Sequence, residues 1–317
     1  MLDNGNGARA AWSWADQLAG VVPPLITPLD HAGRVDPAAV ESLVNYTLTA
    51  GCRGLFVAGG CGLGPWLTGT QRGEVVGEVV RSVAGKAPVL AGVMLPSTGP
   101  TCEAARQAEA EGADAVVVAS PYYFTVTGDD QRRHVEAVLE AVSLPVLIYN
   151  IPQCTVHSWL PRTVTALARE PRVVGVKDSS GNLAAFQDFL AIKRERPDFC
   201  VLQGDERVMA ACMLLGADGV IAGLANVAPR LFVDLVRAGA RDDAAACRQL
   251  QEGITDLWSS LVRELGLAGL YAACAALGIG SGQPAAPWIA PTADQQRAIA
   301  AALRRHELMG AVPASKA

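Results

Sequence analysis

The sequence has no run of lysines or arginines. Its 26 basic residues face 31 acidic ones, for a formal net charge of −5. Nucleic acid and anionic membranes are recognised through concentrated positive charge, so neither is expected as the main partner. No CxxC pair occurs among the eight cysteines, at 52, 61, 102, 154, 200, 212, 247 and 274. Most lie in apolar surroundings such as "AACMLLG" and "YAACAALG", which reads as reduced core thiols of a cytosolic protein, with no disulfide framework and no zinc site. Long apolar runs are missing too. The longest candidate, about 208 to 229, is interrupted by Asp218 and several glycines and reads as a buried helix-strand pair, not a membrane span. The opening "MLDNGNGARAAWSWADQLAG" carries Asp3 and Asp16 without a continuous apolar core, and so makes a poor signal peptide. No GxGxxG opens a helix after the first strand, which counts against a dinucleotide-binding fold.

What the sequence does have is alternation. Half of its 317 residues are hydrophobic and 18% are charged, as in an ordinary soluble globular protein long enough for two average domains or one large barrel. From residue 20 onward, short Val/Ile/Leu-rich runs alternate with longer helical patterns. The expected strands are 20–27, 54–59, 88–93, 115–120, 145–150, 173–178, 200–205 and 219–224. None shows polar alternation, so both faces of the sheet should be covered, as parallel strands with crossover helices are. Asp36 is a good N-cap for the first long helix, with Pro37 behind it and Gly51 as its stop. Eight such units predict an α/β fold, a (β/α)8 TIM barrel over 20–240. Helical patterns at about 242–263, 266–277 and 292–306 predict a C-terminal helical extension over 241–308. Residues 1–19 and 309–317 read as loose tails.

In such a barrel the chemistry gathers where the strands end. Strand 2 ends in "GGCGLGP" (59–65), strand 4 in "SPYYF" (120–124), strand 5 in "YNIP" (149–152) and strand 6 in Lys177. The four histidines (31, 134, 157 and 306) supply no metal-ligand cluster there, so the rim reads as metal-free carbonyl chemistry. A desolvated lysine has a lowered pKa and can form an imine with a ketone. A tyrosine hydroxyl can move the protons, and backbone N–H groups of the Gly60-Cys61-Gly62 turn can hold a carboxylate. Each residue also has a plainer reading. Lys177 could be a solvated strand-end lysine, Tyr149 a core tyrosine, and "GGCG" a tight turn needing glycine dihedrals. Cys61 could be a reactive thiol or a small neutral filler. Asp205 could bind sugar hydroxyls, and Ile221 could shape the pocket floor; packing is the alternative for both.

The motifs "VVPPLITPLDHAGRVD", "GLFVAGGCGLGPWLT", "SPYYF", "YNIP", "GVKDSSGN" and "GADGVIAGLANVAP" occur in the order found in the dihydrodipicolinate synthase/N-acetylneuraminate lyase family. The resemblance covers roughly residues 20 to 240. It implies a cofactor-free class I lyase, usually a tetramer built from dimers, with Lys177 as Schiff-base former and Tyr149, 28 positions earlier, as proton-transfer residue. It also implies Tyr123 as a tyrosine reaching across a dimer interface, a place adjacent Tyr122 could fill. The chain departs from the family at Gly60, where a hydroxyl residue usually links two tyrosines in a proton relay, and at Cys61, where a second one contacts the substrate carboxylate. Synthases place an arginine where this chain has Cys154. "GLGP" at 62–65 resembles the 2-keto-3-deoxygluconate aldolase branch. The expected function is therefore pyruvate-forming or pyruvate-using aldol chemistry on a 2-keto-3-deoxy sugar acid, with no cofactor beyond the covalent imine on Lys177, in a cytoplasmic homo-oligomer. The rivals are 4-hydroxy-tetrahydrodipicolinate synthase, a keto-deoxy sugar-acid dehydratase, and a non-catalytic relative that binds a keto acid.

Overall fold

The computed structural model describes residues 13–310. Eight strands, β1 (Gly20–Val21), β2 (Leu55–Val57), β3 (Val89–Gly92), β4 (Ala115–Ala119), β5 (Val146–Asn150), β6 (Val173–Asp178), β7 (Cys200–Gln203) and β8 (Gly219–Val220), form one all-parallel sheet ordered β1-β8-β7-β6-β5-β4-β3-β2. Helix α1 (Trp14–Leu18) precedes β1, and α2 (Pro37–Thr49), α3 (Gly69–Val83), α4 (Thr98–Ala110) and α5 (Gly128–Ala141) follow β1 to β4. After β5 come α6 (Pro152–Thr155) and α7 (Pro161–Leu167). Helices α8 (Leu183–Ala191), α9 (Met209–Leu214) and α10 (Pro229–Gly239) follow β6, β7 and β8. The extension is α11 (Ala244–Leu261), α12 (Gly266–Ala276) and α13 (Ala293–Arg305), close to the three expected spans.

Local chemistry sets the ends. The Asp36 carboxylate accepts from the Ala39 N–H at 3.1 Å, with Pro37 in the first turn and Gly51 just past the end at φ +101°. The strands are mostly shorter than expected, and β1 and β8 fall furthest short. β1 stops at Val21 because Pro23 and Pro24 have no N–H to give a ladder. The barrel closes there through a single bridge, Pro24 to Phe56, in which Phe56 donates to the Pro23 carbonyl at 2.9 Å. β8 gives way to a 3-10 turn, Gly223–Asn226. The buried Asn226 side chain then takes over the pairing, donating to the Pro24 carbonyl and accepting from the Ile26 N–H.

Strand residues are buried on both faces and alternate between two cores. Val116, Val118, Val146, Ile148 and Val176 point outward under the helices, whereas Ala115, Val117, Ala119, Leu147 and Tyr149 fill the lumen. Leu18 of α1 joins the lumen cluster and is fully buried. Residues 13–19 are therefore a helix packed against the barrel and not part of a loose tail; residues 1–12 and 311–317 lie outside the described residues.

One irregularity decides the site. Val146 pairs with Val173, but Leu147 pairs with Gly175, so Val174 is an extra residue in β6. Beyond this bulge Tyr149 stands opposite Lys177 and Asn150 opposite Asp178.

Candidate active site

Lys177 and Tyr149 are cross-strand neighbours on the lumen face at the carboxyl ends of β6 and β5. Lys177 is 3% exposed and Tyr149 4%. The lysine Nζ lies 3.9 Å from the centre of the Tyr149 ring and 5.1 Å from that of Phe56. Those π faces favour an ammonium, and so does negative charge on nearby Glu206. Burial is the larger effect, and it lowers the lysine from 10.5 to about 8. Burial also holds the Tyr149 phenol well above its usual range, so it stays a neutral hydroxyl that can give or accept a proton. The Ser179 hydroxyl is 3.4 Å from the Tyr149 oxygen.

The rest of the "YNIP" and "KDSS" motifs pins these two strand ends together. Asn150 Nδ2 donates to Asp178 at 2.7 Å and Asn150 Oδ1 accepts from the Trp159 N–H at 2.9 Å, while the indole N–H of Trp159 donates to the Tyr149 carbonyl at 3.1 Å. Ser180 donates twice more to Asp178. Burial raises the Asp178 carboxyl, and these donors offset part of that rise.

Gly204, at the end of β7, packs against the lysine. A Cβ on it would fall 2.7 Å from Lys177 Cε and 2.1 Å from Ser179 Oγ. Gly204→Ala is therefore expected to push the amine out of line and slow imine formation with a 2-keto acid about 100-fold, the usual consequence of a misplacement near 1 Å. Borohydride trapping measures it; a rate within threefold of the parent would show that the amine has room to move.

Lys177 and Tyr149 open into a cavity of about 660 Å3, which Gly60 and Cys61 also line. Burial raises the Cys61 thiol to about 12, so the side chain enters the cavity as a neutral group. A Cβ at Gly60 would meet nothing within 4 Å. The turn is held from behind. Tyr271 of α12 donates to the Cys61 carbonyl at 3.2 Å, and Thr27 donates to the Gly62 carbonyl at 2.6 Å. Four non-glycine residues at the rim, Ala58, Leu63, Tyr123 and Val156, adopt left-handed φ of 51°, 58°, 79° and 66°. Backbone strain of this kind collects at binding sites because the surrounding packing sustains it.

Four expected residues are not among those lining this cavity. Gly62 packs under the turn, where a Cβ would be 2.8 Å from the Leu25 carbonyl oxygen, and its glycine serves that close approach. Asp205 caps the turn after β7 and binds Arg207 through both oxygens, at 2.9 and 2.6 Å. Ile221 belongs to the lumen cluster with Phe56 and Leu202. Tyr123 is 85% exposed and turned against Phe124, while Tyr122 lines the cavity of its own chain. The cysteines also divide: six are buried, Cys154 is exposed, and Cys61 lies between.

Three positions escaped the sequence reading. Glu206 sits behind Cys61, where a Cβ on Gly223 would lie 3.1 Å from Cys61 Sγ and 3.2 Å from Glu206 Oε1. Burial raises its carboxyl, against the backbone N–H groups it accepts from and the nearby Lys177. The available signal was the pair Asp205-Glu206: when the first acid is an N-cap, the second is free to face another way. Ser179 and Trp288 are the others, and the latter arrives from the C-terminal segment with no local motif to announce it.

Among the described residues no helix is long and apolar enough to cross a membrane. Residues 17–306 match the model of the dihydrodipicolinate synthetase family. The 4-hydroxy-tetrahydrodipicolinate synthase of Pseudomonas savastanoi pv. phaseolicola is 36% identical over 247 residues, 78% of this chain and 84% of that protein. The dihydrodipicolinate synthase of Bacteroides thetaiotaomicron superposes with a TM-score of 0.85 at 34% identity, over 91% of this chain and 98% of the other. YagE, a prophage protein of Escherichia coli K12 solved with pyruvate, gives 0.85 at 27% identity, over 92% and 99%. The chain belongs to the dihydrodipicolinate synthetase family and is an enzyme of its class I, pyruvate-type lyases.

Proposed function

We propose that Lys177 captures the keto group of pyruvate, or of a longer 2-keto acid that releases pyruvate, as an imine, and that Tyr149 carries the protons of the carbon-carbon step. The observation that carries this reading is the buried amine, lowered to about 8, set against a neutral phenol at the closed end of a cavity. The amine attacks C2 of the keto acid, and water leaves with a proton relayed by Tyr149. The protonated imine then draws in the electrons of the C3–C4 bond as that bond breaks. Tyr149 takes the proton from the C4 hydroxyl, an aldehyde departs, and hydrolysis of the enamine returns pyruvate and the free amine. Ser179 supplies the hydroxyl next to Tyr149 that Gly60 does not. The Gly60 and Cys61 turn faces the carboxylate end with neutral groups only. YagE, solved with pyruvate, supports this choice of donor.

Two acceptors follow from the sequence and the relatives. The Gly62–Pro65 loop favours a keto-deoxy sugar acid, and the names of the relatives favour the synthase reaction. We further propose that the chain works as a homo-oligomer in which exposed Tyr123 enters the partner subunit's cavity, with no resident cofactor.

The test is reductive trapping. With pyruvate and borohydride the protein should gain one covalent adduct, mapped to Lys177. The trapping rate should rise with pH as the ammonium deprotonates, about tenfold per unit below pH 8, and level off above it. A rate still climbing at pH 10 would mean an ordinary lysine and end the proposal.

A further inference from the structure

Pyruvate held on Lys177 would fill only the inner end of the cavity, and the remainder has a different character. Its outer wall is Trp66 from the turn after β2, Trp288 from the segment before α13, Leu267 at the start of α12, and Leu63 and Ile151. The two indoles lie with ring centres 4.4 Å apart at 48°, yet remain 47% and 36% exposed, so each still presents surface at the mouth. Two of these walls come from the C-terminal extension and none from a barrel strand.

The polar side chains that could meet a sugar chain are engaged: in the lining, Thr155 donates to the Ile151 and His157 carbonyls and Tyr122 to the Met94 carbonyl, and the nearby acids are held as well. Both oxygens of Asp205 are held by Arg207, and Glu206 Oε1 accepts from the Leu224 N–H. A substrate hydroxyl buried against indole and leucine without a partner is disfavoured, and a polyhydroxylated chain carries several. Among the described residues that line the cavity, Lys177 is the only cation, and it is spent on the keto group. An acceptor with its own carboxylate therefore meets no counter-charge.

We infer that the aldehyde partner is a neutral aromatic one, seated against Trp66 and Trp288. This rests on the imine reading above and names its acceptor. The pyruvate enamine on Lys177 forms a bond from C3 to the aldehyde carbon, the aldehyde oxygen takes the Tyr149 proton, and water hydrolyses the imine. The product is a 4-aryl-4-hydroxy-2-oxobutanoate, pyruvate and aldehyde joined with no atom lost, and the reverse reaction cleaves it. Flat aromatic surface packed on indole gains both area and ring-ring attraction, which no open-chain sugar matches.

The experiment offers the full-length protein pyruvate with benzaldehyde, glyceraldehyde or aspartate semialdehyde and follows each product by mass. Benzaldehyde is expected to show a kcat/KM at least about tenfold above the other two. Trp288→Ala should lower that value at least about tenfold while leaving the pyruvate adduct on Lys177 intact, and Trp66→Ala is the second variant should the first not fold. A preference for either polar aldehyde, or an equal loss on all three aldehydes, overturns the inference and leaves the imine reading standing. Absence of any pyruvate adduct overturns both.

Discussion

Exchange of Lys177 for methionine is expected to give a protein inert toward 2-keto acids and yet harder to unfold. No amine remains to capture the ketone, so the borohydride adduct disappears and turnover falls by four or more orders of magnitude, on the order of what removal of a covalent nucleophile costs. The stability gain follows from linkage. An unfolded lysine titrates at 10.5 and the folded one at about 8, so at neutral pH the folded state holds its proton against desolvation. The gap corresponds to about 3 kcal/mol. That penalty is present in full below pH 8, fades as pH rises from 8 to 10.5, and is gone above, where both states are neutral. Methionine is similar in length and carries no charge. Urea unfolding should therefore show the variant ahead by about 3 kcal/mol at pH 7 and level with the parent near pH 11. Equal stabilities at pH 7 would show that the ammonium is well solvated and that this lysine is not primed.

Tyr149→Phe should have the next largest effect. The ring contacts with Phe56 and Lys177 survive, and so does the Trp159 bond, which ends on the backbone carbonyl. Only the hydroxyl goes, and kcat should drop by about 10² to 10⁴ while the pyruvate adduct still forms on longer incubation. Ser179→Ala removes the neighbour of that hydroxyl and should cost about tenfold in kcat. The pH inflection near 8 should stay in both variants, because it belongs to the lysine. If Tyr149→Phe kept a third or more of its parent's kcat, the proton carrier would have to be sought elsewhere, with Glu206 the first to examine.

The barrel could be read from the sequence because its signal repeats: eight apolar runs without alternation admit few other folds. Lys177 and Tyr149 could be read because each closes such a run. The strand lengths at the seam could not, since Pro23, Pro24 and the Asn226 side chain replace ladder bonds that a hydrophobic pattern does not record. The engagement of Asp205 was hidden for a related reason: composition puts an acid at a strand end but does not show that Arg207, two residues on, will occupy it. Nor does a glycine in a turn show that Leu25 and Thr27 will approach it closely, as they approach Gly62. Trp288 and Leu267 have no periodicity to betray them. They reach the mouth only because the last helices fold back over the rim, a long-range event that local sequence does not encode.

Val174 has a consequence for how such an enzyme can change over time. Point replacements along β5 and β6 leave the pairing in step, so side chains around the amine can be exchanged one at a time. Loss of a single codon between Val173 and Lys177 removes only the bulge and can leave Lys177 opposite Tyr149, whereas a codon lost between Leu147 and Tyr149 has no spare residue to draw on and would turn every later side chain of β5 to the other face. Length in β5 should therefore be more closely guarded than length in β6, and lineages that diversify in substrate are expected to do so through the loops and the C-terminal segment.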